Sequence, residues 1–339
     1  MTSHSSWDLP LRTRLLAHAL SRLRTPVSRL ERADLPAARA WGRPARMPYA
    51  WVTGPVYSDV AISRSSFTAR DGATVPLRLY RPTLPGASAA IPRPERFPVV
   101  VWFHGGGWCL GNLDGYDPLC SWMAHEAQVL VVSVDYRLAP EHPAPQAVHD
   151  CVDAVRWVSA HADSLAADLT SLGLAGDSAG GNLAAVVAQV LRDAGGPPVG
   201  YQCLLYPGTD ATMSMPSVRT HADAPILTRA DMDTFVGYYL GGGTDSLPAS
   251  DPLVSPLLAA DHRGLPPALI QTADLDPLRD EGLAYAEKLE AAGVPVRVTN
   301  YPRTPHGFHS FPGATPVGRA ARAELAGWIA THSRKRLVH

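Results

Sequence analysis

Ser178 stands within Gly176-Asp177-Ser178-Ala179-Gly180, and three other clusters in the chain carry what a serine hydroxyl needs to act as a nucleophile. His104-Gly105-Gly106-Gly107-Trp108 offers a run of backbone amides, Asp274, Asp276 and Asp280 offer carboxylates, and His306-Gly307-Phe308 offers an imidazole. A hydroxyl is a poor nucleophile until a base takes its proton, and the oxyanion that follows attack needs donors already aimed at it. The set implies acyl transfer to water, in the chain order Ser, Asp, His.

The elements that must position these groups are legible around each cluster. Residues 171–176 read as a buried strand and 179–192 as a helix, so Ser178 falls at an abrupt strand-to-helix bend. Such a bend strains the residue at its apex and requires minimal neighbours, which Gly176 and Gly180 supply. It also places the Ala179 amide, at the positive end of the helix, where an oxyanion would form. Upstream, the apolar run Phe97–Phe103 predicts a strand buried on both faces, ending directly at Gly105, Gly106 and Gly107. Three glycines let several N–H groups converge on one point. A nucleotide cradle is disfavoured because no Lys-Ser/Thr follows them.

The carboxylate and the base belong to later strand ends, where reactive groups gather in an open parallel sheet. Residues 267–273 predict one strand, with Asp274 and Asp276 both near its end and Asp280 expected to cap the helix that follows. Spacing alone leaves Asp274 and Asp276 as alternatives. The alternation of Val294, Val296 and Val298 predicts the next strand, after which His306 and His309 both arrive. His306 is the expected base, with an imidazole suited to proton transfer near neutral pH.

On these residues the chain resembles the bacterial hormone-sensitive-lipase-like carboxylesterases, a branch of the α/β-hydrolase superfamily, from about Phe97 to Phe308. The matching stretches are residues 104–108, Asp135-Tyr-Arg-Leu-Ala-Pro-Glu-His-Pro143, residues 176–182, Asp276-Pro-Leu-Arg-Asp-Glu-Gly282, and residues 306–308. The resemblance implies an α/β-hydrolase fold with Ser178 as nucleophile, Asp276 as acid, His306 as base, and Gly106, Gly107 and Ala179 as oxyanion donors. It prefers Asp276 to Asp274 because the family's acid immediately precedes Pro-Leu, and it implies a homodimer. The expected function is hydrolysis of small acyl esters through an acyl-enzyme, with no metal or organic cofactor. An amidase or acyltransferase would use the same three groups. A ligand-binding protein on the same fold is disfavoured by the presence of all three.

Composition fits this expectation and excludes other classes. The 339 residues are 46% hydrophobic with a net charge of -1, giving no electrostatic reason for a nucleic-acid partner. No run is long enough to span a membrane and no secretory leader is evident, so a cytoplasmic setting is expected. Cys109, Cys120, Cys151 and Cys203 show neither metal-site spacing nor a disulfide framework. Cys109, beside the glycine loop, reads as a small buried hydrophobe.

Two strand patterns flanking Asp71-Gly72 predict an antiparallel hairpin, and residues 82–98 read as a loop. Strands near Val99, Val129, Leu172, Gln202, Leu269 and Val296 then alternate with helices near Ser121, Ala147, Gly181, Glu281 and Arg319. That alternation predicts a mostly parallel central sheet with helices on both faces. Between residues 206 and 266 it lapses, leaving one clear helix at 229–240; such an excursion is usually functional. The expected organisation is a cap segment at 1–55, a catalytic core at 56–206 and 256–339, and a cap insertion at 207–255. Trp108, Phe235 and Tyr239 are the expected substrate-pocket residues. Short- to medium-chain acyl esters are favoured over triglycerides because no segment reads as an exposed membrane-docking helix.

Overall fold

The computed structural model describes residues 7–40, 49–83, 96–244 and 246–333. The chain enters through α1 (Leu11–Leu23), α2 (Leu35–Arg39) and α3 (Tyr49–Thr53), then forms a hairpin of β1 (Val60–Thr68) and β2 (Thr74–Pro82). Gly72 adopts φ +86°, and the Ala69 amide donates to the Ala73 carbonyl at 2.8 Å, closing the turn predicted at Asp71-Gly72. Next come β3 (Phe97–Phe103), α4 (Leu113–Ala127), β4 (Leu130–Val134), α5 (Gln146–Ala160), β5 (Ala167–Asp177) and α6 (Ala179–Asp193). The remainder is β6 (Tyr201–Leu205), α7 (Pro216–Thr220), α8 (Arg229–Leu240), β7 (Ala268–Leu275), α9 (Arg279–Ala291), β8 (Val296–Pro305) and α10 (Gly318–Ser333).

Among the described residues these strands form one eight-stranded sheet in the order β1-β2-β4-β3-β5-β6-β7-β8. β1 and β2 are antiparallel, β2 meets β4 antiparallel, and the rest of the sheet is parallel. Side chains along a strand alternate between faces, and β3 shows the consequence. Val99, Val101 and Phe103 join the core packed under α5, α6 and α9, while Val100 and Trp102 join the core beneath α4 and α10. Helices on both faces explain why β3 is a continuous apolar run and why β4 is apolar except at the buried Ser133.

From β3 the chain crosses to β4 on one side and then returns to β5 on the other. The crevice beyond the carboxyl ends of β3 and β5 is therefore a topological switch point, the usual ligand position in an open α/β sheet. Both the glycine loop and Ser178 emerge there.

Four details bear on the sequence reading. β3 spans Phe97–Phe103 as its apolar run predicted, so the loop expected at 82–98 loses Phe97 and Pro98 to that strand and Pro82 to β2; residues 84–95 of that loop lie outside the described residues. Asp280 does not cap its helix, because α9 already begins at Arg279; its carboxylate accepts from the Ser217 amide at 2.9 Å and from Arg279 Nε at 2.8 Å. The excursion after β6 holds the short α7 as well as α8. Finally, α1 places Arg12, Arg14 and Arg22 on a solvated face, as the density of basic residues in the first 46 positions suggests, but also leaves Leu11, Leu15 and Leu23 exposed among them.

The N-terminal elements pack against the excursion. The Ser28 amide donates to Asp231 Oδ1 at 3.0 Å, Tyr238 donates to the Leu30 carbonyl at 3.3 Å, and Trp7 stacks on His221. Arg39 of α2 anchors this layer by donating to the carbonyls of Cys109 and Ala139, each at 2.8 Å, and to Glu141.

Candidate active site

Ser178 occupies the single residue between β5 and α6 with φ +54° and ψ −120°, a sparsely populated conformation for a non-glycine residue. Strain of this kind costs about 1–3 kcal/mol and persists only where the surroundings hold it. Here a Cβ on Gly176 would strike the Gly180 carbonyl, and one on Gly180 would strike the Phe103 carbonyl. The Ser178 amide is fixed to the Leu205 carbonyl at 2.8 Å.

His306 follows the end of β8 and Asp276 follows the end of β7. His306 Nε2 lies 2.9 Å from Ser178 Oγ, and His306 Nδ1 lies 2.6 Å from Asp276 Oδ2. A carboxylate at Nδ1 makes that nitrogen the donor, which leaves Nε2 free to accept the serine proton. Asp276 is fully buried, and its second oxygen accepts from the Leu278 amide at 2.9 Å. The alternatives lie elsewhere. Asp274 faces Arg279 at 3.6 Å, and His309 is buried with Nε2 2.7 Å from Gln271 Oε1, its pKa held well below the usual value by desolvation.

Gly106 and Gly107 take φ values of +125° and +59°, and a Cβ on them would meet the Leu110 carbonyl and the Phe235 ring respectively. The Gly105 amide is already engaged, donating to Asp177 Oδ1 at 2.8 Å. Within the described residues the amides of Gly106 and Gly107 donate to no protein acceptor, which leaves them available at the loop's turn. Asp177 is thus the residue that sequence reasoning missed: Tyr116 also donates to it at 3.0 Å, and burial pushes its carboxyl up to about 6. Its place beside the serine was the only signal available.

These groups open into a cavity of about 780 Å³ lined by strand-end loops together with α1 and α8. Trp108 and Phe235 stand in its wall. Tyr239 does not: it is fully buried and lies behind Trp108, stacked on it with ring centroids 4.3 Å apart. Cys109 is buried, and desolvation pushes its thiol up to about 12, so it behaves as a small apolar side chain. The other three cysteines are also free and buried. Among the described residues no group of three or more His, Cys, Asp or Glu side chains is arranged to hold a metal, and no helix is long and apolar enough to cross a membrane.

The family profile of the alpha/beta hydrolase fold matches residues 100–310. Carboxylesterase NlhH of Mycobacterium tuberculosis is 47% identical over 274 residues, covering 79% of this chain and 81% of that one. The chain belongs to the hormone-sensitive-lipase-like carboxylesterase branch of the α/β-hydrolase family. It is a carboxylic ester hydrolase. Other carboxylesterase relatives include the ethyl acetate hydrolase of Pseudomonas putida, 38% identical over 76% of this chain and 79% of that one. Among solved structures, the hyperthermophilic esterase of Pyrobaculum calidifontis superposes with a TM-score of 0.78 at 36% identity, covering 94% of this chain and 97% of that one. A thermostable Pseudomonas putida esterase gives 0.82 at 32% identity, covering 96% and 98%.

Proposed function

We propose that this carboxylesterase cleaves small acyl esters with Ser178 as nucleophile, His306 as general base and Asp276 as the carboxylate that orients the imidazole. The hydrogen-bonded chain from Ser178 through His306 to Asp276 at the floor of an apolar cavity carries this reading. His306 Nε2 takes the Ser178 proton as Oγ attacks the ester carbonyl, and Asp276 stabilises the imidazolium that results. The amides of Gly106, Gly107 and Ala179 receive the oxyanion. Each such donor is worth roughly 2.7–4 kcal/mol of transition-state stabilisation. His306 then returns the proton to the leaving alkoxide, and a water repeats the sequence on the acyl-enzyme.

The cavity supports short- to medium-chain acyl groups, with Met213, Leu227, Met232 and Leu278 in its wall. In this reading residues 1–55 and 207–255 form the cap over a core of residues 56–206 and 256–339. The test is pre-steady-state hydrolysis of p-nitrophenyl butyrate. The expected result is a burst of p-nitrophenol stoichiometric with enzyme, and a Ser178→Ala variant whose kcat falls by about six orders of magnitude. A variant that retained turnover would remove Ser178 from the mechanism.

A further inference from the structure

For His306 to serve both steps, its Nε2 must reach Ser178 Oγ and then the leaving oxygen. The alcohol half of a bound ester therefore lies on the imidazole side of the cavity, along the loop that carries Gly307, Ser310 and Phe311. Arg322 of α10 stands in the wall on that side. Its residue is 5% exposed, one terminal nitrogen donates to the His309 carbonyl at 2.7 Å, and the guanidinium carbon lies 5.2 Å from the Trp122 ring centroid.

What Arg322 lacks is a counter-charge. Nε is buried without an acceptor, and among the described residues no carboxylate pairs with the guanidinium. The contrast within the fold is direct. Arg78, 7% exposed, is neutralised by Asp114 and Asp117, both at 2.7 Å. A buried charge without a partner costs several kcal/mol, so the uncompensated Arg322 calls for a ligand.

The acidic groups in the same cavity wall do not serve that purpose. Asp177 is held by Gly105 and Tyr116, Asp210 accepts from Thr212 and Ser214, and burial pushes the Glu281 carboxyl well up, towards its neutral form. Arg322 itself, lowered by burial only to about 10, stays charged at neutral pH.

We propose that Arg322 makes the alcohol end of the cavity a carboxylate subsite, so that the preferred esters carry an anionic group on the alcohol moiety. The planar fork of a guanidinium matches a carboxylate in geometry as well as charge. This rests on Ser178 and His306 acting as described above. It concerns which ester is chosen.

The test compares 4-acetoxybenzoate with its neutral isostere 4-acetoxybenzamide, each rate normalised to hydroxide hydrolysis of the same compound. The readout is the ratio of the two kcat/KM values, in which any general loss of activity cancels. The wild-type ratio is expected to favour the anion by about tenfold or more, the effect of a hydrogen bond to a charged group. Arg322→Gln should bring it close to one. A wild-type ratio near one overturns the proposal, as does a ratio that Arg322→Gln leaves unchanged, which would reduce Arg322 to a brace for the His309 loop.

If Arg322→Gln fails to fold, Arg322→Lys decides: a lowered ratio supports the subsite and an unchanged one overturns it. If the wild type cleaves neither ester, the Ser178 mechanism falls by itself. Calorimetric titration with 4-hydroxybenzoate then decides the subsite: binding that is weakened in the Arg322 variant supports it, and no binding to the wild type overturns it.

Discussion

Asp274 and Asp276 sit two positions apart at the end of β7, and only their surroundings distinguish them. In an extended chain residues i and i+2 share a face, so spacing alone had no means of choosing. The strand ends at Leu275, after which Asp276 turns inward to His306 and the Leu278 amide while Asp274 stays partly exposed beside Arg279. Replacing Asp276 by Asn should leave the ring in place with the wrong tautomer and lower kcat by about 10⁴. Asp274→Asn removes only a surface pairing worth about 1 kcal/mol or less, and should leave kcat nearly unchanged. Steady-state kinetics on both variants checks this; comparable losses would mean that the two carboxylates share the role. Tyr239 illustrates the opposite limit of a residue-level reading. Trp108, Phe235 and Tyr239 were all expected in the pocket; the first two line it, but Tyr239 stacks behind Trp108, an order set by side-chain packing that no spacing encodes.

At the scale of elements, the bend from β5 to α6 was legible because its glycines have a steric purpose. Gly180 is where three pieces meet: its missing side chain lets α6 close on the carbonyl at the end of β3, which in turn brings the glycine loop beside Ser178. A methyl at that point must push backbone apart, so Gly180→Ala should destabilise by about 3 kcal/mol or more, beyond the usual range for overpacking. Gly327, exposed on α10 with nothing within 4 Å of an added Cβ, is the control. There alanine should stabilise by roughly 0.5–1 kcal/mol through helix propensity alone. Urea unfolding midpoints for the two variants should move in opposite directions; a Gly180→Ala midpoint equal to wild type would show that the bend has slack. Apart from α8, which was expected at 229–240, the excursion after β6 was illegible for a reason that the same comparison exposes. It is held by side chains reaching distant backbone, such as Ser217 Oγ to the Pro277 carbonyl at 2.7 Å and Glu281 to the Thr209 amide at 2.6 Å, and not by any periodic pattern.

At the scale of the whole molecule, the cavity is closed by pieces of chain about two hundred residues apart. Trp7 donates to the Asp223 carbonyl at 3.2 Å, and the Ser28 amide is held by Asp231, pairings that no local window of sequence contains. The sheet was readable from alternation because every strand repeats the same signal; these long-range pairings were not, because their partners lie about two hundred residues apart. This separation also makes the cap testable. Arg39 ties α2 to the Cys109 and Ala139 carbonyls, so a chain starting at residue 31 keeps that anchor while losing α1, the segment before it that carries Trp7, and the turn after it. Leu16 and Leu20 of α1 line the cavity, and their removal turns an apolar wall into open water. A methylene buried against such a wall contributes about 0.8 kcal/mol, or roughly fourfold in kcat/KM. In the intact protein kcat/KM should therefore rise from acetyl to butyryl to hexanoyl p-nitrophenyl esters, and the shortened chain should lose most of that slope while still cleaving the acetyl ester. Near-UV circular dichroism confirms that the core remains packed. Parallel slopes in the two proteins would leave the acyl chain to Met213, Leu227, Met232 and Leu278 alone, and α1 with only its exposed, basic outer face to explain.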